Sequence, residues 1–374
     1  MLKVMSVFGT RPEAIKMCPL VKALEGAEDM ESIVCVTAQH REMLDSALGY
    51  FGVKPDFDLN IMKRGQTLSS ITADVIMGLE SVLAESKPDL VLVHGDTTTS
   101  FAAALAAFYA KIPVGHVEAG LRTYDRYSPY PEEINRNLTS KLATLHFAPT
   151  ELNRSNLARE GITENVFVTG NTVLDAFRYT VKPGYVFADE KLRSVDFDGR
   201  KVIALTAHRR ENQNGGIADI CRAVLELTKR HPELLFVYPV HLSPSVRNVV
   251  FPLLDGKPGV LLTDPVDVAD MHNLIAKSFF VMTDSGGIQE EAPSFSKPVL
   301  VLRTETERPE AVAAGTVRVV GTETSRVVSE AEALLSDPAE YEKMASAKNP
   351  YGDGHASERI IDAIRKTMVD KITL

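Results

Sequence analysis

Short apolar runs alternate with helical segments along the first half of the chain. The run at residues 2–8 predicts a strand, and apolar residues at helical spacing between 15 and 24 predict a helix that Pro12 opens. The same pattern predicts strands at 32–37, 90–93, 113–117, 145–148 and 166–169, and helices at about 67–87 and 98–110. Such alternation is typical of a doubly wound parallel sheet in an α/β protein.

The pattern is interrupted at residues 170–200 and then begins again. Lys-Pro-Gly at 182–184 and Asp-Phe-Asp-Gly at 196–199 indicate loops, so we place a hinge in this interval. Beyond it, strands are predicted at 201–206, 234–239, 278–283, 299–302 and 316–320, and a last helix from 356 to about 368. Two α/β domains fit the length of 374 residues, because single hydrophobic cores stop growing at roughly 250–300 residues.

Composition is that of a globular protein, with 44% hydrophobic and 24% charged residues. Lys and Arg number 41 against 50 Asp and Glu, a formal charge of −9 that favours neither nucleic acid nor a membrane as partner. Cys18, Cys35 and Cys221 are scattered, and neither a signal-peptide pattern nor an apolar run of about 18 residues is present. We therefore expect a cytoplasmic protein with free cysteines.

Three carboxylates stand close to the strands predicted at 90–93 and 113–117. Asp96 and Glu118 follow these two strands, and Glu132 is expected in the first turn of a helix. Open α/β sheets bind their ligands at the carboxyl ends of parallel strands. We therefore expect the three acids to converge at one sheet edge, an arrangement suited to proton transfer.

A glycine pair, Gly286 and Gly287, stands between a predicted strand and a predicted helix. Glycine lets the backbone approach a ligand, and the N–H groups at a helix N-terminus attract anions, although a tight turn would use the same residues. Arg308 follows the next strand and could bind the same anion with its planar fork. We predict a phosphate-binding site here.

Other basic residues also follow predicted strands. They are Arg11, Lys16, His208, Arg209 and, as the weakest signal, His241. Neither half of the chain contains Gly-x-Gly-x-x-Gly, a Walker A loop, zinc-ligand spacing or Gly-x-Ser-x-Gly. The sequence therefore disfavours a dinucleotide cofactor, NTP hydrolysis, a metal site and a serine nucleophile.

Six motifs, in this order, resemble those of the non-hydrolysing bacterial UDP-N-acetylglucosamine 2-epimerases. They are Gly-Thr-Arg-Pro-Glu at 9–13, His-Gly-Asp at 94–96, Glu-Ala-Gly-Leu-Arg at 118–122, Pro-Glu-Glu-Ile-Asn-Arg at 131–136, His-Arg-Arg-Glu at 208–211 and Asp-Ser-Gly-Gly-Ile-Gln-Glu-Glu at 284–291. With Asn-Pro-Tyr-Gly-Asp-Gly at 349–354, the resemblance spans essentially the whole chain.

The resemblance implies the glycosyltransferase-B architecture, in which two Rossmann-like domains face each other across a cleft. Residues 1–171 would form the first domain, completed by a C-terminal helix that crosses back at about 357–374. Residues 172–356 would form the UDP-binding domain. The resemblance also implies a homodimer that needs no cofactor.

The resemblance implies roles for single positions. Positions that match catalytic residues are Asp96, Glu118, Glu132 and His208. Positions that match contacts to UDP are Arg11, Lys16, Arg136, His208, Met271, Ser285, Gly286, Gly287, Glu291 and Arg308, with Glu291 at the ribose and the Ser-Gly-Gly backbone at the diphosphate. Met271 stands in a segment without the aromatic residue expected beside the uracil.

Some family members bind a second substrate molecule as an activator. Positions that match this second site are Gln39, Gln66, Glu132, Arg209 and His241. Glu42 and Gly65 depart from the pattern, which has Gln and Arg at these places.

The implied reaction interconverts UDP-N-acetylglucosamine and UDP-N-acetylmannosamine. No carbonyl adjoins C2 and the nicotinamide fingerprint is missing, so elimination of UDP to a 2-acetamidoglucal, followed by re-addition, remains. Which acid serves which face of the sugar stays open. The alternatives are a hydrolysing epimerase that releases N-acetylmannosamine and UDP, a glycosyltransferase of the same architecture, and a non-catalytic nucleotide-sugar sensor.

Overall fold

The computed structural model describes residues 1–38, 41–63 and 65–372, and the chain divides into two compact units. The first unit comprises Met1–Phe177 with Tyr351–Leu374, and the second comprises Arg178–Pro350. The chain thus crosses between the units at 177–178 and 350–351, where the sequence predicted crossings at 171–172 and 356–357.

The first unit is built on one parallel sheet. Its strands are β1 (Leu2–Phe8), β2 (Met30–Val36), β3 (Phe57–Asp58), β4 (Leu90–His94), β5 (Val114–Val117), β6 (Leu145–Ala148) and β7 (Val166–Val168). Their order in the sheet is β3-β2-β1-β4-β5-β6-β7, and all neighbours are parallel. The order reverses between β1 and β4, which makes this the topological switch point where ligands bind in such sheets.

Helices cover both faces of this sheet. They are α1 (Arg11–Glu25), α2 (Arg41–Phe51), α3 (Leu68–Ser86), α4 (Thr98–Tyr109), α5 (Glu132–Leu142) and α6 (Glu151–Arg159). Thr10 is the N-cap of α1. Pro12 is therefore the second residue of this helix, whereas the sequence predicted it as the first. Strand residues such as Met5, Val7 and Val93 are fully buried, which explains why the strands have nearly continuous apolar sequences.

The second unit contains another parallel sheet. After α7 (Phe177–Thr180) and α8 (Glu190–Arg193), its strands are β8 (Lys201–Thr206), β9 (Leu234–Pro239), β10 (Val260–Thr263), β11 (Phe280–Thr283), β12 (Val299–Val301) and β13 (Val317–Val319). Their order is β10-β9-β8-β11-β12-β13, all parallel, with the switch point between β8 and β11. The predicted pair of Rossmann-like α/β domains is confirmed.

The helices of the second unit connect its strands. They are α9 (Gly216–Arg230), α10 (Pro244–Leu254), α11 (Val268–Lys277), α12 (Gly286–Glu291), α13 (Pro309–Ala314), α14 (Thr324–Ser336) and α15 (Pro338–Ala345), with short 3₁₀ turns at Arg210–Asn212 and Ala292–Phe295. No helix within the described part of the chain is long and apolar enough to cross a bilayer.

The last helix, α16 (Ala356–Ile372), belongs to the first unit, which confirms the predicted return of the chain. Asp175 caps its start by accepting hydrogen bonds from the N–H groups of Ala356 at 3.0 Å and Ser357 at 2.6 Å. Turns at 172–176 place Asp175 at this cap. Side chains of α16 such as Ile360 and Ile364 are fully buried.

Candidate active site

Asp96 lies two residues beyond β4, at the switch point of the first sheet. Gly95 before it has a φ of +63°, a conformation that glycine adopts without steric cost. Arg136 on α5 donates from Nη2 to Asp96 Oδ2 over 2.6 Å, and Asn135 donates from its side chain to the Asp96 carbonyl over 3.0 Å. Both the carboxylate and the backbone of Asp96 are therefore fixed by α5.

The three predicted acids share one electrostatic environment. Burial raises the pKa of Asp96 above its usual value, Arg136 opposes this shift, and Glu118 and Glu132 add to it. Yet 28% of the Asp96 side chain stays accessible, so the carboxyl can meet a ligand and exchange a proton with it. No group of His, Cys, Asp or Glu side chains within the described ranges has the geometry to hold a metal ion.

Glu118 directly follows β5 and contacts two basic side chains. Lys16 Nζ lies 2.8 Å from Oε1 and 2.6 Å from Oε2, and His94 Nε2 lies 2.7 Å from Oε2. Burial alone would raise the pKa of Glu118, but Lys16 and His94 outweigh it and hold that pKa well below the ordinary range. Glu118 is therefore a carboxylate at neutral pH.

The backbone at Glu118 is also unusual, because its φ of +62° lies in the left-handed region. A residue with a side chain adopts this conformation at a cost of about 1–3 kcal/mol, and such residues cluster at functional sites. In this conformation the Glu118 carboxylate contacts Lys16, whose side chain is 18% exposed. Lys16 thus lies with the acids; its contact with UDP, like that of Arg11 at the start of α1, stays a prediction.

Glu132 begins α5, as the sequence predicted, and one of its carboxylate oxygens is left without a partner. Its Oε2 is buried, and no residue in the described ranges donates a hydrogen bond to it. Buried carboxylate oxygens normally accept a hydrogen bond, so this atom is suited to a ligand or a transferred proton. The neighbouring Glu133 is occupied instead, because it accepts from the N–H groups of Thr123 at 3.0 Å and Tyr124 at 2.9 Å.

His116, which was not predicted as a site residue, is a neutral histidine that contacts the backbone next to Asp96. His116 Nε2 is 2.7 Å from the Gly95 carbonyl oxygen, and burial lowers the pKa of His116 to about 3. The ring is therefore neutral at pH 7 and donates its Nε2 proton to Gly95. Its position in the apolar strand β5 gave no sequence signal of this contact.

Glu13 was also missed as a site residue, and it joins two loops of the switch point. The side chain is 2% exposed and accepts from the N–H groups of Gly9 at 3.1 Å and Thr10 at 2.8 Å, and from the Thr97 hydroxyl at 2.7 Å. The Thr-x-x-Glu spacing of Thr10 and Glu13 is a capping-box signature. That signature predicts the contact with Thr10 but not the one with Thr97.

Asp284 occupies the switch point of the second sheet and is fully buried. Its Oδ2 accepts from the N–H groups of His208 and Arg209, each at 2.8 Å, and from Asn212 Nδ2 at 3.0 Å. Asp284 therefore holds the loop after β8 at the end of β11. The hydrogen bonds to this carboxylate fix the backbone positions of His208 and Arg209.

The predicted phosphate-binding turn opens α12. A Cβ added to Gly286 would lie 3.6 Å from Arg308 Nη2 and 3.7 Å from Arg209 Nη2, so two guanidinium groups face this backbone. Arg209 Nε is buried with no hydrogen-bond acceptor among the described residues, while Arg308 pairs with Glu290. The turn and its two guanidinium groups agree with the predicted phosphate-binding site, and the binding itself stays a prediction.

The N–H groups of this turn are not all available to a ligand. Ser285 N–H already donates to Thr283 Oγ1 at 2.9 Å, so within the Ser-Gly-Gly motif the N–H groups of Gly286 and Gly287 remain. The Glu291 carboxylate at the end of α12 lies 3.6 Å from His272 Nε2. Helix α11 carries both His272 and Met271, so the residues predicted at the ribose and the uracil lie on neighbouring helices.

His208 and His241 stack with ring centroids 5.2 Å apart and planes 9° from parallel. His208 Nδ1 lies 3.4 Å from Asp284 Oδ1. Burial lowers the pKa of His208 below its usual value, although Asp284 acts in the opposite direction. A ring that is neutral at pH 7 can still donate a hydrogen bond from one nitrogen to a phosphate or a sugar oxygen.

The residues predicted for a second substrate molecule fall in both units. Glu132 and Gln66 belong to the first, where the Gln66 side chain donates to the Ile61 carbonyl. Arg209 and His241 belong to the second. Gln39 lies outside the described residues, and the second site stays a prediction.

Comparisons with known proteins agree with the motifs. The family model described as UDP-N-acetylglucosamine 2-epimerase matches residues 22–365. The UDP-N-acetylglucosamine 2-epimerase of Escherichia coli K12 is 53% identical over 377 residues, covering 98% of this chain and 100% of that relative. A crystal structure of UDP-GlcNAc 2-epimerase from Neisseria meningitidis bound to UDP-GlcNAc is 52% identical, with a TM-score of 0.87 over 98% of this chain and 100% of that chain.

A more distant likeness concerns the fold alone. The glycotransferase of kitacinnamycin is 15% identical, with a TM-score of 0.58 over 96% of this chain and 98% of that chain. This likeness agrees with the predicted glycosyltransferase-B fold class. The family model and the two close relatives span almost the whole chain, and on that ground the chain belongs to the UDP-N-acetylglucosamine 2-epimerase family.

Proposed function

We propose that this protein interconverts UDP-N-acetylglucosamine and UDP-N-acetylmannosamine by eliminating UDP to a 2-acetamidoglucal and adding it back on the other face. Family membership supports the overall conversion, and the Neisseria meningitidis relative is described with UDP-GlcNAc bound. The single observation that carries the mechanism is the contrast between Asp96 and Glu118, two acids of one site whose surroundings shift their pKa values in opposite directions.

The proton-transfer roles follow from the environment of each acid. Pairs of titratable groups with pKa values driven apart are typical of acid/base sites. Asp96, whose pKa is raised, is able to hold a proton, and Glu132 offers a buried oxygen without a donor. We assign these two to proton exchange at C2, and we assign to the Glu118 carboxylate the role of holding Lys16 at the sugar.

The leaving group needs a different environment. Elimination places the electrons of the C1–O bond on the β-phosphate, while the C2 proton goes to a base and C1=C2 forms. Arg209, Arg308 and the N–H groups of Gly286 and Gly287 would stabilise that charge, because preorganised donors aimed at developing charge are usually the largest catalytic contribution. We propose that the second unit performs this task.

Two features outside the chemistry belong to the same proposal. We infer a homodimer through the exposed apolar side chains of α3 and α4, among them Met77 at 72% and Tyr109 at 66% exposure. We also infer that a second UDP-N-acetylglucosamine binds as an activator, at the positions that match such a site in the family, Gln39, Gln66, Glu132, Arg209 and His241.

Two other reactions are possible on the same scaffold. Water could capture the glycal intermediate, which would make the protein a hydrolysing epimerase, and an acceptor could capture the sugar in a transferase. The three acids favour elimination and re-addition, because a transferase has no need to exchange the C2 proton.

Proton NMR of UDP-N-acetylglucosamine incubated with the protein in D₂O separates these reactions. We expect UDP-N-acetylmannosamine with deuterium at C2 and UDP still attached. Free N-acetylmannosamine would instead establish the hydrolysing reaction. An unchanged substrate without deuterium would contradict the proposed epimerisation.

A further inference from the structure

The Glu13 carboxylate divides its two oxygens between two loops. Oε2 accepts from Gly9 N at 3.1 Å, Thr10 N at 2.8 Å and Thr10 Oγ1 at 2.8 Å. Oε1 accepts from Thr97 Oγ1 at 2.7 Å and from Ser100 Oγ at 3.0 Å. One buried side chain therefore joins the loop after β1 to the loop after β4.

These loops carry the groups that meet at the site. The first leads into α1, which bears Lys16 and through it the Glu118 carboxylate. The second contains Asp96, immediately before Thr97. The β1–β4 ladder ends at the pair Val7 and Val93, so beyond that pair Glu13 continues the connection that backbone hydrogen bonds make within the sheet.

We propose that Glu13 is a positioning residue, which sets the place of Asp96 relative to the Lys16–Glu118 pair. This role rests on the proposed function, because it concerns acids that act together on one sugar. A carboxylate suits the role, because each of its oxygens accepts hydrogen bonds from more than one donor. Hydrogen bonds to a charged acceptor are also stronger than hydrogen bonds to a neutral acceptor.

Two substitutions weaken the connection between the two loops to different extents. Glu13→Gln keeps the shape, and its amide oxygen can still accept from Gly9 and Thr10. Its NH₂ group then faces the hydroxyls of Thr97 and Ser100, which must turn to accept, so the tie to the Asp96 loop weakens. Glu13→Ala removes both ties and frees the donors of both loops.

Asp89 supplies a matched control at the opposite end of the same two strands. Its Oδ2 accepts from Lys3 N at 2.9 Å, and its own N–H donates to the Lys3 carbonyl at 2.9 Å. Asp89→Asn and Asp89→Ala thus loosen β1 and β4 at their amino ends, away from the acids. They report what loss of a carboxylate tie between these strands does without moving Asp96.

The experiment measures kcat and KM for UDP-N-acetylglucosamine, the melting temperature, and amide hydrogen exchange in peptides covering 8–13 and 94–101. Glu13→Ala is expected to lower kcat about 10²-fold and Glu13→Gln about ten-fold, because a misplacement of about 1 Å can cost this much. KM should stay within about two-fold, since the anion-binding turn belongs to the second unit. Exchange should rise in both peptides together.

The Asp89 variants should lower the melting temperature as the Glu13 variants do, yet keep kcat within about two-fold of the parent protein. A normal kcat in Glu13→Ala, unchanged exchange in either peptide, or an equal loss of kcat in Asp89→Ala would overturn the proposal. Failure of the proposed function is seen separately, because the unsubstituted protein would then not epimerise while the exchange data would still decide whether Glu13 joins the loops.

Discussion

At the switch point of each sheet a buried carboxylate ties loops together, Glu13 in the first unit and Asp284 in the second. Glu13 accepts from Gly9, Thr10 and Thr97, and Asp284 accepts from the loop that begins at His208. The two sheet edges thus share a way of fixing their loops. They differ in what the fixed loops present.

In the first unit the basic groups are bound to the candidate acids. Lys16 donates a hydrogen bond to the Glu118 carboxylate, and Arg136 donates one to the Asp96 carboxylate. In the second unit the guanidinium groups of Arg209 and Arg308 face the backbone at Gly286. The equivalent edges of the two sheets therefore differ: the first carries carboxylates with shifted pKa values, and the second carries the predicted anion-binding turn. Turnover and nucleotide affinity should for that reason be separable by mutation.

The largest effect on turnover without a matching effect on UDP affinity is expected from substitutions of the acids. Asp96→Asn or Glu118→Gln should lower kcat by about 10²-fold or more, the usual scale of acid/base groups, while UDP binding measured by calorimetry stays near normal. For Glu118 the loss would come through Lys16, which the neutral amide no longer holds. Near-normal turnover in both variants would contradict the division between the two edges.

The opposite effect is expected from Gly286→Ala. Its Cβ would meet the nearest atoms at 3.6 Å or more, so the fold should tolerate it while the methyl group fills the anion site. Loss of one charge-assisted hydrogen bond, about 1.5–3 kcal/mol, corresponds to UDP binding weakened by about 10- to 100-fold in calorimetry.

Gly26 offers the matched control for that substitution. At the end of α1, an added Cβ would also meet its nearest atoms at 3.6 and 3.7 Å, but outside either switch point. Gly26→Ala should leave UDP affinity unchanged. Equal affinities in the two variants would place the diphosphate elsewhere.

A smaller effect, on pH dependence, is expected from Lys16→Met. The folded-state pKa of Glu118 is lowered, so its contribution to stability is present above the unfolded pKa and is lost as pH falls through the folded pKa. Without Lys16 that folded pKa rises, so the contribution of Glu118 is smaller and is fully lost at a higher pH. The midpoint of acid unfolding, followed by circular dichroism, should therefore move upward.

Lys22 on the same helix is the control, because its pair with Glu25 is partly exposed and screened by solvent. Lys22→Met should leave the acid midpoint almost unchanged. If the two lysine variants shifted the midpoint equally, the buried Lys16–Glu118 pair would not be what holds the pKa of Glu118 low.

The sequence predicted the sheets and the strand ends that carry the acids for a physical reason. Buried parallel strands are nearly continuous apolar runs, so the polar residues that interrupt them, such as Asp96 and Glu118, mark the ligand edge. Local signals also placed Glu132 at a helix start. The single-residue contacts at that edge were less predictable.

The contacts that the sequence did not predict join loops that are far apart along the chain. Lys16 could have bound a phosphate or a carboxylate, and only the folded chain brings it to Glu118, 102 residues away. The contact of Glu13 with Thr97 spans 84 residues and leaves no local pattern. His116 was hidden because a histidine inside an apolar strand gives no indication of its partner.

The central claim is that the C1–oxygen bond to UDP breaks while the acids exchange the C2 proton. It is tested most directly with UDP-N-acetylglucosamine that carries ¹⁸O in the bridge between C1 and the β-phosphorus, followed by ³¹P NMR. We expect the label to spread into the non-bridging positions of the β-phosphate as epimerisation proceeds, because those oxygens become equivalent once UDP leaves. Epimerisation with all of the label retained in the bridge would contradict the account.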